Sequence, residues 1–97
     1  MHVMTRCKIK PDEVEHVLEL LGAVYDELAS VQPDGLRYAT FQLEDKVTLV
    51  SFVELQDGPE MLQQLKAFQR YRTSLDQVCD EPPVTTVLHE IGAYRFH

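Results

Sequence analysis

The chain has 97 residues, 44% of them hydrophobic and 26% charged, and its formal net charge is -7. A chain of this length holds one hydrophobic core, which predicts a single domain over residues 1–97. The acidic balance repels phosphate groups, so nucleic acids and anionic membranes are disfavoured as partners, and no apolar run approaches the roughly 20 residues that span a bilayer. Because the N-terminus lacks a signal-peptide pattern, we expect a cytoplasmic location.

The N-terminal residues 2–10 alternate between two faces, with Val3, Cys7 and Ile9 on one of them. This period of two predicts a β-strand. Pro11 ends the strand and suits the first turn of a helix, where the missing N–H of proline is not needed.

An amphipathic helix is predicted between Pro11 and Pro33, because apolar residues recur there at spacings of three and four. These residues are Val14, Val17, Leu18, Leu21, Val24, Tyr25, Leu28 and Val31. Gly22 lies in the middle of this helix at a cost of about 1 kcal/mol relative to alanine, which indicates close packing or a bend at that point.

A β-hairpin is predicted next. Pro33-Asp34-Gly35 is a strong turn combination, and it is followed by two segments rich in β-branched and aromatic residues, Leu36–Leu43 and Val47–Leu55. Glu44-Asp45-Lys46 forms the reversal between them. A connection this short requires antiparallel pairing.

The second strand of the hairpin is apolar on both faces. Leu49, Val53 and Leu55 point to one side, whereas Val50 and Phe52 point to the other. A strand covered on one side only would carry polar residues on its outer face, so a second covering layer is expected.

A second helical region and a last strand complete the chain. Asp57-Gly58-Pro59-Glu60 has the spacing of a capping box, and apolar residues keep helical period from there through Asp80. Pro82-Pro83 ends the helix, and the last strand is predicted from Val84 to about Ile91. One face of this strand is expected to carry Val87, His89 and Ile91.

The order βαββαβ, with right-handed crossovers, predicts the ferredoxin-like α+β fold, a four-stranded antiparallel sheet with both helices on one face. Val50 and Phe52 lie on the other face, and leaving that face wet would forfeit several times the roughly 1.5 to 3 kcal/mol that each buried apolar side chain contributes. We therefore expect a homodimer whose sheets meet face to face as a dimeric α/β barrel, with Tyr94 and Phe96 crossing to the neighbour.

Two stretches carry a resemblance to a known family. Residues 33–38, PDGLRY, and residues 50–57, VSFVELQD, resemble the PG-x-x-x-Y turn-strand and the W-x-D strand end of the antibiotic-biosynthesis-monooxygenase group, which belongs to the dimeric α/β-barrel superfamily. The resemblance implies a homodimer with a pocket in each subunit between the sheet and the helices. Proteins similar to this chain include cofactor-free oxygenases of phenolic or quinol substrates and haem-degrading enzymes.

The chain departs from the group's pattern at two places. Leu55 stands where the group has tryptophan, and Gln63 and Gln64 stand at or near the position of a helix histidine. In the group's pattern these two residues supply haem ligation and ring distortion, so haem is disfavoured and no cofactor is expected. The histidines and cysteines of the chain also lack the spacing of metal ligands, so no metal site is expected.

Five residues are candidates for a site. His89 is a candidate acid or base because its intrinsic pKa of about 6.5 lies near neutral pH. Tyr71 and Arg72 could hold a phenolate as the other two catalytic residues, and Tyr38 and Phe68 are candidates for binding the substrate. The competing interpretation is structural, since a histidine on an apolar face and aromatics at helical spacing are also ordinary core residues.

Two functions remain open. The first is a cofactor-independent monooxygenase for a small aromatic hydroquinone or polyketide-like substrate, in which the protein orients a substrate carbanion towards O₂. The second is a non-catalytic homodimeric module that binds a small apolar ligand or simply assembles. In both, Cys7 and Cys79 are expected to be reduced, partly buried thiols, because no CxxC motif is present.

Overall fold

A computed structural model describes residues 2–56 and 60–95 and confirms the predicted βαββαβ order. Asp57, Gly58 and Pro59 of the predicted capping box and Phe96 of the predicted tail lie outside the described residues. The elements are β1 (His2–Ile9), a 3-10 turn (Pro11–Glu13), α1 (Val14–Val31), β2 (Leu36–Gln42), β3 (Thr48–Leu55), the short α2 (Glu60–Gln63), α3 (Lys66–Val78) and β4 (Cys79–Leu88).

The four strands form one sheet in the order β2-β3-β1-β4, and every neighbouring pair is antiparallel. Directly paired residues such as Thr40 and Ser51, or Val3 and Val53, point to the same face of the sheet. This register separates a face that packs against the helices from an open face, as the ferredoxin-like fold requires.

The hydrophobic core lies between the sheet and the helices. Its main cluster joins β1 and β3 to α1 and α3, and a second cluster joins the far end of β3 to the α2 region. The main cluster consists of Cys7, Ile9, Val17, Leu21, Val24, Leu49, Tyr71 and Leu75. At roughly 1.5 to 3 kcal/mol for each buried apolar side chain, this layer supplies most of the stabilisation of the fold.

The reversal between β2 and β3 lies where the sequence predicts it. Asp45 Oδ1 accepts hydrogen bonds from the backbone N–H groups of Val47 and Thr48 at 3.0 and 2.9 Å, and Asp45 Oδ2 accepts one from the Thr48 hydroxyl at 2.6 Å. Lys46 takes the left-handed conformation with φ 68°. These hydrogen bonds lower the pKa of Asp45, so the turn is held by an ionised carboxylate.

The boundary between α3 and β4 differs from the prediction. The helix ends at Val78 rather than Asp80, and β4 begins at Cys79, five residues before the predicted start at Val84. The reason is pairing with β1, which captures Cys79 opposite Ile9. Pro82-Pro83 falls at an irregularity of this edge strand, where the missing N–H groups break no ladder.

The end of β4 also differs from the prediction. The strand stops at Leu88, so His89 and Ile91 follow the strand instead of alternating with Val87 on one of its faces. A second difference concerns the helical region, which is interrupted near Gln64 and not near Thr73-Ser74.

The expected packing reason for Gly22 is wrong. A Cβ built on Gly22 would have nothing within 4 Å, and α1 is continuous over 18 residues. Gly35, by contrast, has φ +74°, and a Cβ there would come within 2.9 Å of Gln56 Oε1. The turn before β2 therefore requires glycine, whereas the helix does not.

The open face of the sheet exposes apolar side chains. Phe41 and Phe52 lie on it with ring centroids 6.0 Å apart, and they are 51% and 39% exposed. Val84 on β4 is 62% exposed on the same face. Both faces of β3 thus carry apolar residues, as predicted.

Candidate functional site

A chain of hydroxyl groups crosses the layer between the sheet and α1. The Tyr25 hydroxyl donates to Thr40 Oγ1 at 2.9 Å, and Thr40 Oγ1 lies 2.9 Å from Ser51 Oγ. Thr40 on β2 and Ser51 on β3 are cross-strand partners on the helix side of the sheet, which is why their hydroxyls meet. Ser51 and Thr40 also act on the Tyr38 hydroxyl, whose pKa they lower against the effect of burial.

A row of aromatic rings continues from this chain towards α3. The centroids of Tyr25 and Tyr38 are 5.4 Å apart, those of Tyr38 and Phe68 are 6.4 Å apart, and those of Phe68 and Tyr71 are 6.4 Å apart. The first two pairs meet edge to face, a geometry that contributes about 0.5–1.5 kcal/mol beyond burial. The helices and the hairpin are thereby joined through ring contacts.

Arg72 brings a positive charge to the end of this row. Its guanidinium group acts electrostatically on Tyr38, Tyr71, Cys7 and Cys79 and lowers the pKa of each. Arg72 Nη1 is buried and has no hydrogen-bond partner among the residues that the structure describes. A buried donor left without an acceptor costs about 1–3 kcal/mol, and more when it is charged, so this nitrogen favours an added acceptor.

The phenol groups of the layer are protonated at neutral pH. Burial raises the pKa of Tyr25, Tyr38 and Tyr71, and the nearby Arg72 guanidinium opposes the effect at Tyr38 and Tyr71. Burial also raises the pKa of the Cys7 thiol to about 12. These groups therefore serve as neutral hydrogen-bond donors and acceptors, and not as bases.

A cavity of about 350 Å³ opens into the layer between α1 and β2. Its walls include Tyr25, Leu28, Gln32, Leu36 and Tyr38. Two of the hydroxyl-bearing rings thus reach its surface, and its volume fits a small aromatic molecule.

A larger cavity of about 720 Å³ lies elsewhere, along the open face of the sheet and the segment after β4. Its walls include His2, Arg37, Glu54, His89 and Tyr94. Glu54 Oε2 forms an ion pair there with Arg37 Nη1 at 3.4 Å and lies 3.7 Å from His2 Nε2, so polar groups stand beside the exposed apolar residues.

The structure brings four of the five predicted site residues together and separates the fifth. Tyr38, Phe68, Tyr71 and Arg72 lie in the layer between sheet and helices. His89 is exposed and lines the cavity on the opposite side of the sheet. A role for His89 as acid or base stays a prediction, and it would concern the open face and not the aromatic layer.

Sequence reasoning missed three members of the hydroxyl chain, Tyr25, Thr40 and Ser51. The sequence held a signal for two of them. Thr40 lies on the same face of its strand as Tyr38, and Ser51 lies on the same face as the buried Leu49 and Val53. A polar residue at a core position of a strand indicates either a hydrogen-bonded network or a site.

The part of the chain that the structure describes contains neither a metal-ligand cluster nor a helix suited to span a membrane. Within residues 2–56 and 60–95, no three His, Cys, Asp or Glu side chains are grouped so that they could hold a metal ion. None of the helices in those ranges combines the length and the hydropathy that a membrane crossing needs.

The strand order, the antiparallel pairing and the single helical layer define a ferredoxin-like α+β protein of the architecture found in antibiotic biosynthesis monooxygenases. No protein-family model matches the sequence, and no curated protein matches it. The similarity to solved structures confirms, at the level of the fold, the resemblance drawn from the sequence.

Three of these structures illustrate the similarity. Rv0793 from Mycobacterium tuberculosis is 22% identical, with a TM-score of 0.76 over 95% of each chain. A structure named antibiotic biosynthesis monooxygenase is 16% identical, with a TM-score of 0.75 over 94% of this chain and 98% of the other. PA3566 from Pseudomonas aeruginosa is 15% identical, with a TM-score of 0.76 over 94% of this chain and 93% of the other.

Proposed function

We propose that this chain forms a homodimer in which each subunit binds a small phenolic or quinol-type aromatic compound between sheet and helices and oxygenates it without a cofactor. The name of one structure with the same fold, antibiotic biosynthesis monooxygenase, supports the reaction class. We also retain the expected cytoplasmic location.

The observation that carries the proposal is the unpartnered Nη1 of Arg72 beside the aromatic row. A guanidinium N–H in such a place pairs best with an oxygen that carries negative charge, such as a phenolate. Tyr38 and Phe68 offer ring surfaces to the same ligand. The ligand class that satisfies both features is a flat aromatic molecule with an acidic hydroxyl group.

The chemistry of such a ligand needs no added reductant. An ionised phenol carries carbanion character at a ring carbon, and that carbon adds O₂ to give a peroxide. Loss of water from the peroxide leaves a carbonyl group, so the substrate loses two hydrogen atoms and gains one oxygen atom while the second oxygen atom leaves as water. The substrate itself supplies all the electrons.

The side chains of the layer would assist this reaction by electrostatics and positioning. The positive charge of Arg72 stabilises the phenolate and so lowers the pKa of the bound phenol. The hydroxyl chain Tyr25–Thr40–Ser51 can accept and pass on hydrogen bonds, because hydroxyl groups both donate and accept. Edge contacts from Tyr38 and Phe68 would hold the ring in one orientation.

A second candidate function is a non-catalytic binding module of the same fold. It is favoured by the raised pKa values of Tyr25, Tyr38, Tyr71 and Cys7, since burial keeps all four groups protonated and no base near neutral pH stands among them. In this alternative Arg72 fixes an anionic ligand that is not transformed.

Oxygen uptake separates the two functions. We would measure binding and O₂ consumption for a panel of phenols, hydroquinones and anthrone-like compounds, with Arg72→Met and the matched Arg70→Met, an exposed arginine of the same helix. If the protein is an enzyme, Arg72→Met should lower the rate of O₂ consumption about 10- to 1,000-fold. The pH dependence of that rate should shift to higher pH, because the bound phenol loses the cation that stabilises its ionised form. Arg70→Met should act like the wild type.

Two other outcomes of these measurements would exclude one or both functions. Binding of a compound without any O₂ uptake removes the enzyme and leaves the binding module. Failure of every compound to bind, together with an absence of any aromatic molecule in the mass spectrum of the denatured purified protein, contradicts both functions.

A further inference from the structure

We propose that Cys7 and Cys79 form a dithiol pair that closes to a reversible disulfide between β1 and β4. Cys7 is in the middle of the sheet on β1, and Cys79 is the first residue of the edge strand β4, directly after α3. Both are free thiols in the structure. The inference does not depend on the proposed function.

The register of the two strands places the cysteines next to each other. Cys79 pairs with Ile9, and Cys7 is two residues before Ile9 on the same face, so the cysteines are diagonal neighbours. In a regular sheet that diagonal is about 7–8 Å, longer than the usual Cα separation of a disulfide. Here the pairing is irregular between Arg6 and Ile9, and Cys79 packs against the core cluster that contains Cys7. Each thiol also affects the pKa of the other.

The two thiols differ in access. Cys7 is 4% exposed, whereas Cys79 is only half-buried. Burial raises the pKa of both, to about 12 for Cys7, while Cys7 and the charge of Arg72 oppose the rise at Cys79. Cys79 is therefore the thiol that reacts first, and Cys7 is the thiol that resolves the intermediate.

The oxidant is a small-molecule disulfide. The Cys79 thiolate attacks one sulfur of that reagent, the S–S bond of the reagent breaks, and one reagent thiolate leaves with the electron pair. The Cys7 thiol then loses its proton, attacks Cys79 Sγ and displaces the second reagent thiolate. Two protein thiols are oxidised and one reagent disulfide is reduced to two thiols, so the electrons balance.

The surroundings of the two cysteines indicate that their disulfide is easily reduced and that neutral oxidants form it faster than anionic ones. A disulfide across a diagonal requires the strands to shift, and strained disulfides are the ones that are readily reduced. The carboxylates of Asp76 and Asp80 raise the pKa of Cys79 electrostatically and would repel an anionic reagent. Neutral disulfides should therefore react faster than oxidised glutathione.

The test starts from the reduced full-length chain treated with hydroxyethyl disulfide, a neutral reagent. Peptide mapping under non-reducing conditions should show Cys7 linked to Cys79 within one chain, and dithiothreitol should restore both thiols. The rate should rise about tenfold per pH unit below the pKa of Cys79. Oxidised glutathione should react more slowly, and added salt should reduce that difference.

Two variants assign the roles. Cys7→Ser should accumulate a stable reagent adduct on Cys79 and form no disulfide, whereas Cys79→Ser should react at least about tenfold more slowly because only a buried thiol remains. Cys7→Ala serves if Cys7→Ser does not fold, as judged by its thermal melt. A wild-type chain that keeps the adduct on Cys79 with Cys7 reduced, that reacts first at Cys7, or that links only between two chains overturns the proposal.

Discussion

Tyr71 places a phenol in the middle of the hydrophobic core, where it is only 3% exposed. Burial raises the pKa of this phenol first of all, and the neighbouring Tyr38 raises it further. The same cause acts on Tyr25 and Tyr38. The folded chain therefore keeps protons at high pH that the unfolded chain releases, and stability must fall there.

The free energy of unfolding should decrease as pH rises. The loss should begin above about pH 8.5, where an unfolded cysteine ionises while Cys7 does not, and steepen above about pH 10, where unfolded tyrosines ionise. Each such group contributes about 1.4 kcal/mol per pH unit. Urea unfolding at a series of pH values should show a shallower decline for Tyr71→Phe than for the wild type. An equal decline in the wild type and in Tyr71→Phe would contradict the raised pKa of Tyr71. Tyr94→Phe, which changes an exposed tyrosine, is the control.

Several of these residues could be predicted from the sequence, and others could not. Tyr38, Phe68, Tyr71 and Arg72 were identified because aromatic and cationic side chains at strand and helix positions are visible locally. That Arg72 leaves one nitrogen without an acceptor depends on long-range packing, which no local pattern records. The contact between Cys7 and Cys79 likewise depends on a register irregularity that arises only when the strands pair.

At the scale of elements, the strand and helix order followed from periodicity, while the boundaries followed from tertiary pairing. The hairpin turn was predictable because Asp45 and its neighbours act through local hydrogen bonds. The start of β4 was not predictable in this way. The helical period of the sequence continues through Cys79, whereas in the structure Cys79 pairs with β1. Sheet pairing outweighed the local helical preference at this point.

Gly22 and Gly35 should respond in opposite ways to substitution by alanine. Gly22→Ala should stabilise the protein by about 0.5–1 kcal/mol, since the new methyl group meets nothing within 4 Å and alanine favours the helix. Gly35→Ala should destabilise it by about 1–2 kcal/mol, because φ +74° and the contact with Gln56 both oppose a side chain. Urea unfolding of the two variants measures both effects. Equal destabilisation by the two would show that Gly22 contacts something else in solution.

At the scale of the whole molecule, the sheet has one dry face and one exposed apolar face. Phe41, Phe52 and Val84 remain on the exposed face of the single chain. Exposed apolar patches on small proteins usually mark an interaction surface, and a second copy of the chain has a matching one. The homodimer was predicted from the sequence because Val50 and Phe52 could not share a face with Leu49 and Val53.

Phe52→Asp should convert the proposed dimer to a folded monomer, because a carboxylate in the centre of the apolar face loses its hydration on association. Light scattering should give twice 11.2 kDa for the wild type and close to 11.2 kDa for the variant. Val31→Asp adds the same charge at an exposed apolar residue on the end of α1 and should leave the dimer intact. A wild-type mass equal to that of one chain at micromolar concentration would refute the dimer.

The proline pair on β4 has a further consequence for the chain at high concentration. An edge strand that offers a regular row of N–H donors can template endless addition of strands from other molecules, which leads to fibrils. Pro82 and Pro83 have no N–H, and because successive N–H groups of a strand point to opposite edges, the pair removes one donor from the outer edge. The outer edge of β4 is thereby blunted against polymerisation while its inner edge still pairs with β1.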